Sequence, residues 1–416
     1  MSKKLEDLYQ QLVRAALSEK SDQEVAEIIA REKEFPELDC LLNPKRYPVM
    51  WLGGECLCED KSRCTRNCLF EAIEPAEGGG IKIDPERCVG CGLCAEGCDA
   101  GVINSSRDLV AMLLAMKHWH GPIYALVAPA ISGQMGESVS LGQLRSAFKR
   151  LGFDGMVEVA LFADILTLKE ALEFDKHVRT EADFHLTSCC CPIWIAMIRR
   201  HYELLSHVPP AVSPMIAAGR TIKQLYPGAM TVFVGPCVAK KSEAREKDLA
   251  GAVDFVLTFQ ELRDLFAFTA TDPASLEVSE KEHASGSGIG YAYSGGVSEA
   301  IEATLQKVSP KRELPMRREQ ADGAAACKAM VGEILAGRIN ANFYEGMGCV
   351  GGCVGGPKRV LPVEEGRERV REYAREAKYE TPIENPYVVE LCRRLGFEDT
   401  ESLIEESGMF TRGLVG

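Results

Sequence analysis

Long apolar runs are missing from this chain of 416 residues. No stretch approaches the ~20 consecutive apolar residues of a membrane span, so no membrane partner is expected. The opening "MSKKLEDLYQQLVRAALSEK" carries charges throughout and lacks the apolar core of a secretory signal. The expected location is therefore the cytoplasm. An excess of basic residues is also missing: 48 Lys and Arg face 61 Asp and Glu, for a net charge of −13. Without a basic footprint, nucleic acid is not an expected partner, and the acidic balance reads as a solvated surface. No fixed-period repeat is visible. With 46% apolar and 26% charged residues, the composition is that of a globular protein with a sizeable core.

Cysteine is abundant. Of 17 cysteines, nine lie between Cys40 and Cys98, and several later ones sit in short Gly- or Pro-rich runs. In a cytosolic chain, such clustering reads as metal ligation or redox chemistry before disulfides.

Helical periodicity runs through residues 1–50 (Leu5, Leu8, Leu12, Ala15, then Val25, Ile28, Ile29). Residues 51–115 are cysteine-dense and Gly-punctuated, the texture of a small domain that uses metal in place of a large core. "EPAEGGGIKID" (Glu74 to Asp84) reads as the turn between its halves. Across 116–364, apolar runs beginning at Ile123, Met156, Phe184, Met230 and Asp254 alternate with helical stretches, predicting α/β architecture with buried strands. "SEKEHASGSGIG" (Ser279 to Gly290) reads as an exposed loop, and 365–416 as charged helices.

Cys88, Cys91, Cys94 and Cys98 have the C-x2-C-x2-C-x3-C spacing of bacterial ferredoxins, whose fourth cysteine serves the neighbouring 4Fe–4S cluster. Zinc is the competing ligand reading, though its sites usually pair cysteines two and two. Upstream, Cys56, Cys58, Cys64 and Cys68 form a less regular set. The simplest arrangement places Cys88, Cys91, Cys94 and Cys68 on one cluster and Cys56, Cys58, Cys64 and Cys98 on a second, with Cys40 an alternative ligand. Two adjacent clusters make an electron wire.

Three further motifs follow. In "TSCCCPIW", Pro192 suits the first position of a helix, which puts Cys191 at the cap, where the helix dipole favours a thiolate. In "GPCVAKK", Lys240 lies three residues beyond Cys237, on the same helical face. In "EGMGCVGGCVGGP", Cys349 and Cys353 are four apart and would share a face if helical; Gly351 and Gly352 would admit a bulky cofactor. A lone C-x3-C is more often structural. Three such motifs, each after a strand-like run, point to one site at strand ends.

Together these motifs resemble, in order and content, the signature loops of the FeFe-hydrogenases (iron-only hydrogenases). The upstream module resembles the two-cluster accessory domain of the same enzymes. The triple cysteine and the "GGCVGGP" ending resemble the subgroup often called group B. The resemblance implies a two-lobed α/β catalytic domain behind an N-terminal ferredoxin-like α+β domain with two accessory 4Fe–4S clusters. It also implies an H-cluster, in which a 4Fe–4S cluster is bridged to a di-iron subcluster bearing CO, cyanide and an azadithiolate. By the resemblance, Cys191, Cys237 and Cys349 ligate that cluster and Cys353 bridges. Lys240 matches a lysine that bonds a cyanide, and Met347 a methionine against the di-iron unit. Cys190 matches the cysteine that passes protons; a thiol of reference pKa ~8.5 suits that task. Cys189 stands where serine is usual, as a redox or proton group or a small packed residue. Glu170 and Glu173 match two relay glutamates.

The sequence also departs from the family. Proline occupies the place of a relay serine in "VPPAVSP", Gly235 replaces a methionine, which predicts looser packing, and Ser298 replaces another. The implied reaction is 2H+ + 2e− ⇌ H2, with H2 and protons as substrates, ferredoxin or a similar electron carrier as partner, and separate maturation proteins supplying the di-iron unit. A hydrogen sensor and a hydrogenase-like iron–sulfur assembly protein are the alternatives. Cys327 and Cys392 read as core residues, and His118 and His120 as surface or packing groups.

Overall fold

The structure is a computed structural model that describes residues 3–54, 56, 58, 62–77, 79–187, 190–279, 283–397, 399–405 and 408–414. The N-terminal periodicity becomes the helices Lys3–Leu17 and Ser21–Arg31. Leu5, Leu8, Leu12, Ala15, Val25 and Ile28 are buried, whereas Ile29 is 39% exposed. These helices share a hydrophobic core with residues of the first large sheet, including Val127, Val234 and Leu257.

The cysteine-dense region contains four short strands. β1 (Met50–Leu52) pairs with β4 (Ile103–Ser105), and β2 (Ile73–Pro75) with β3 (Ile81–Ile83), both antiparallel. The "EPAEGGGIKID" segment carries the end of β2 and all of β3, which pair antiparallel, with Gly78 outside the described residues.

Two parallel sheets follow. The first has the order β6-β5-β8-β9, from β5 (Ile123–Val127), β6 (Gly155–Glu158), β8 (Met230–Gly235) and β9 (Phe255–Thr258). β8, "MTVFVG", is buried throughout, as a central parallel strand must be. The second has the order β10-β11-β7, from β7 (His185–Leu186), β10 (Arg318–Asp322) and β11 (Phe343–Met347), with Phe343 opposite His185. The long helix Ala160–His177 buries residues around its circumference, including Phe162, Ile165, Leu166 and Phe174.

Several local expectations differ from the structure. The apolar run from Met156 is a strand only to Glu158; Ala160 already begins the long helix. β10 and β11 carry polar or charged residues ("REQAD", "FYEGM") that mask their strand character. Gly286–Gly290 forms a buried helix, with residues 280–282 outside the description. Ser285 caps it by accepting from the Gly288 N–H, and Gly288 packs so closely on the long helix that a Cβ would stand 2.5 Å from Asp164 Oδ1. Among the described residues, no helix is long and apolar enough to cross a membrane.

Candidate active site and iron–sulfur ligands

Loops at the carboxyl ends of β5, β7, β8 and β11 converge, the usual position for a site in parallel α/β sheets. β7 leads into the triple-cysteine segment, where Cys191 is the extended N-cap of the helix Pro192–Ile198. Trp194 of that helix donates its indole N–H to the Thr187 carbonyl at 2.8 Å, and its ring covers Gly346 of β11. The first and third loops are thereby locked together. The Gly348 N–H donates to Cys191 Sγ at 3.2 Å. Cys189 lies outside the described residues.

Cys349 and Cys353 are not on one helix. Gly351 and Gly352 between them have φ of +84° and +87°, and only Cys353 enters a short 3-10 turn. At Gly352 a Cβ would lie 2.5 Å from the Ser294 nitrogen and 2.7 Å from the Tyr293 carbonyl carbon. Glycine is thus required for conformation and for space.

Cys191, Cys237, Cys349 and Cys353 are electrostatic neighbours, although among the described residues no three cysteines, histidines or carboxylates come together closely enough to hold a single metal ion. Burial pushes the Cys237 thiol up to about 11, Lys240 opposes that rise, and Cys191 adds to it. Burial pushes Cys353 up to about 12, with Cys237 and Cys191 contributing. Cys349 is raised well above the usual thiol range by burial and then by Cys237, Cys191, Cys353 and Cys91. Burial raises Cys40 and Cys327 in the same way, so it is the number and chemistry of these four thiols that matters. This donor set fits a 4Fe–4S cluster.

Beside it lies an apolar cavity lined by Cys190, Lys240, Cys353, Met215, Phe233 and Tyr291, with Ala128, Pro129 and Ala163 among the rest of its wall. Lys240 is 7% exposed, donates to the Cys190 carbonyl at 3.1 Å and pairs with Glu243 at 2.6 Å. Burial opposes its charge, but Glu243 outweighs that and its pKa is raised. Gly235 does not loosen the packing here. The Phe233 ring fills the space, 2.6 Å from where a Cβ would stand.

The N-terminal cysteines form two groups. Burial raises the Cys91 and Cys94 thiols, with Cys88 and Cys68 adding to the rise of Cys91, and Cys91, Cys88 and Cys68 to that of Cys94. Cys58 is perturbed by Cys56, Cys98 and Cys64. Cys91 also feels Cys237, and Gly90 and Gly92, both at positive φ, seat this loop against Ser242 and Val238 beside the second motif. Cys40 stands apart in the helix Leu38–Leu42; burial raises its thiol to about 11, with Asp39 and Glu37 as its charged neighbours.

Other sequence-predicted residues are placed as follows. Glu170 and Glu173 are buried on the long helix; Glu170 faces His185 and Glu173 pairs with Lys169. Met347 is buried at the end of β11 but is not part of the cavity wall. Cys327 is fully buried and donates to the Met347 carbonyl at 3.3 Å, while Cys392 is half-buried. His118 is exposed and pairs with Asp22, and His120 is exposed. Ser298 accepts from Gln320 at 2.7 Å. Tyr291, Met215 and Phe233 went unread because their motifs carry no local signal; only folding brings them to the cavity.

Residues 121–357 match the family described as iron only hydrogenase large subunit, C-terminal domain, and residues 81–104 match a 4Fe-4S binding domain. The first match spans more than half of the chain, and the chain belongs to that family. Iron hydrogenase 1 of Clostridium pasteurianum is 29% identical over 290 residues, covering 58% of this chain and 50% of that protein. This chain therefore corresponds to about half the length of that relative. The nuclear prelamin A recognition factor of Xenopus laevis is 22% identical over 406 residues, covering 79% of this chain and 88% of that protein. The structure of FeFe-hydrogenase HydA1 from Chlamydomonas reinhardtii shares the fold, with a TM-score of 0.56 at 22% identity over 71% of this chain and 94% of that one.

Proposed function

We propose that the protein is a hydrogenase interconverting protons, electrons and H2. The observation that supports this best is that Cys190, Lys240 and Cys353 line one cavity, with Cys191, Cys237 and Cys349 as electrostatic neighbours of Cys353. On this reading Cys191, Cys237, Cys349 and Cys353 would hold a 4Fe–4S cluster, and a di-iron unit would be held beside it at the cavity that Cys353 lines. When bound, that unit supplies the redox-active metal at which the H–H bond is made or broken. The two N-terminal groups, Cys68 with Cys88, Cys91 and Cys94, and Cys56 with Cys58, Cys64 and Cys98, carry electrons to and from a ferredoxin-like partner. Separate maturation proteins load the di-iron unit.

The chain's own groups divide the remaining work. Apolar walls from Ala128, Pro129, Met215 and Phe233 exclude water, which strengthens electrostatic interactions inside. Lys240, aimed by Glu243 and the Cys190 carbonyl, presents N–H donors to an anionic ligand. The Cys190 thiol gives and regains a proton, and Glu170 of the long helix continues the relay. The "TSCCCP" loop supports placement in the group B subgroup.

The likeness to the prelamin A recognition factor favours a second reading, a hydrogenase-like iron–sulfur protein without a di-iron unit. The presence of Cys190 and Lys240 in the wall of one cavity weighs against it. The deciding measurement is an infrared spectrum of protein matured with the di-iron complex. Iron-bound CO and cyanide bands are expected. Their absence from protein whose iron content equals three 4Fe–4S clusters would replace the hydrogenase reading with the second one.

A further inference from the structure

The long helix Ala160–His177 carries polar groups along a face that begins at the cavity. Ala163 lines the cavity together with Cys190 and Tyr291. One turn on, the fully buried Thr167 hydroxyl lies 2.7 Å from the Ala163 carbonyl and 2.9 Å from the Tyr291 hydroxyl. Thr167 has one proton for two acceptors. When it donates to the carbonyl, Tyr291 can donate to Thr167; when it rotates, the direction reverses. Such a pair passes a proton either way.

Three residues further along the same face stands Glu170. It is 1% exposed; Oε1 lies 3.3 Å from His185 Nε2, and Oε2 has no hydrogen-bond partner among the described residues. His185 stacks on Phe343 and abuts Phe174, which fix its ring. Glu173 differs. Its Oε1 is held by the buried Lys169 ammonium, so taking up a proton there would strand a buried charge.

We propose, resting on the hydrogenase reading, that protons travel between the interior and the cavity through the Glu170–His185 pair and the Thr167 and Tyr291 hydroxyls. Each acceptor in turn releases the proton it held. No electron moves through these residues.

The test compares the parent with Thr167→Val and His185→Gln, both matured with the di-iron complex. Unchanged CO and cyanide bands with turnover lower on the order of a hundredfold, and a larger solvent deuterium isotope effect, are expected for each variant. Protein carrying only 4Fe–4S clusters provides a second readout: the infrared carboxyl band lost in Glu170→Gln should shift in His185→Gln. Bands present with both variants turning over as fast as the parent, or a Glu170 band indifferent to His185, would overturn the route alone. A parent without CO and cyanide bands would overturn the hydrogenase reading and the route with it.

Discussion

The Lys240 ammonium donates to the Cys190 carbonyl oxygen across 3.1 Å, joining the second cysteine loop to the first inside the cavity wall. The same ammonium neutralises Glu243, which is 2% exposed. Lys240→Ala leaves Arg412, at 3.6 Å, as the remaining partner of that carboxylate. Removing one member of a buried pair costs about 3 kcal/mol. A lower melting temperature and loss of CO and cyanide bands, with 4Fe–4S iron retained, are expected; calorimetry and infrared spectroscopy check both. Because the Lys240 pKa is raised in the fold, this contribution is present at neutral pH and disappears only as alkaline pH discharges the ammonium.

Cys190→Ala should leave the infrared bands in place while lowering turnover by on the order of 10²-fold or more, the range of a lost proton-transfer group. Hydrogen evolution from a chemical reductant measures this. Wild-type turnover in the variant would remove Cys190 from the relay.

Iron content separates Cys68 from Cys40. Cys68 perturbs Cys88, Cys91 and Cys94, while the charged neighbours of Cys40 are Asp39 and Glu37. Cys68→Ser should weaken or abolish one accessory cluster in the electron paramagnetic resonance spectrum. Cys40→Ser should leave the spectrum and iron count unchanged.

Gly352→Ala forces a Cβ against the backbone at Tyr293 and Ser294 and imposes a left-handed conformation on alanine. The conformational penalty alone is about 1–3 kcal/mol, and it falls on the loop between Cys349 and Cys353. Iron equivalent to one 4Fe–4S cluster should be lost while both accessory signals persist.

Asp164 sets a pH dependence. Burial pushes its carboxyl up to about 7, against hydrogen bonds from Ser285 and Asn385 that pull it down. A carboxyl raised in the fold binds more protons there than in the unfolded chain. Its contribution is therefore full below the unfolded pKa near 3.8 and is lost as pH rises to about 7. Relative to Asp164→Asn, the parent should lose stability across that interval, by at most about 4 kcal/mol, and then level off. Denaturation at several pH values compares the slopes.

The candidate iron–sulfur ligands were legible because their chemistry is written locally. Short cysteine spacings such as 88–91–94 admit few ligand geometries, and Pro192 marks the helix start that makes Cys191 a cap. The buried strands β5, β8 and β9 were legible for a similar reason, as continuous apolar runs. β10 and β11 were not, because "REQAD" and "FYEGM" carry polar groups whose partners lie elsewhere in the chain. Glu345 of β11, for instance, is buried yet satisfied by the Gly295 and Ser298 N–H groups. Gly286–Gly290 read as a loop because glycine disfavours isolated helix; packing against the long helix reverses that preference.

By itself the sequence determined which cysteines are spaced as candidate ligands of iron, the order of the loops and the α/β texture that presents them. Tertiary structure alone decided what stands around them: that Phe233 fills the space over Gly235, that Met347 leaves the cavity wall to Met215 and Tyr291, and that Glu170 faces His185 while Glu173 is held by Lys169. Ligand spacing is a property of a few bonded neighbours and survives in one dimension. Cavity walls and buried charge partners are long-range contacts, set only when the two sheets and the long helix pack together.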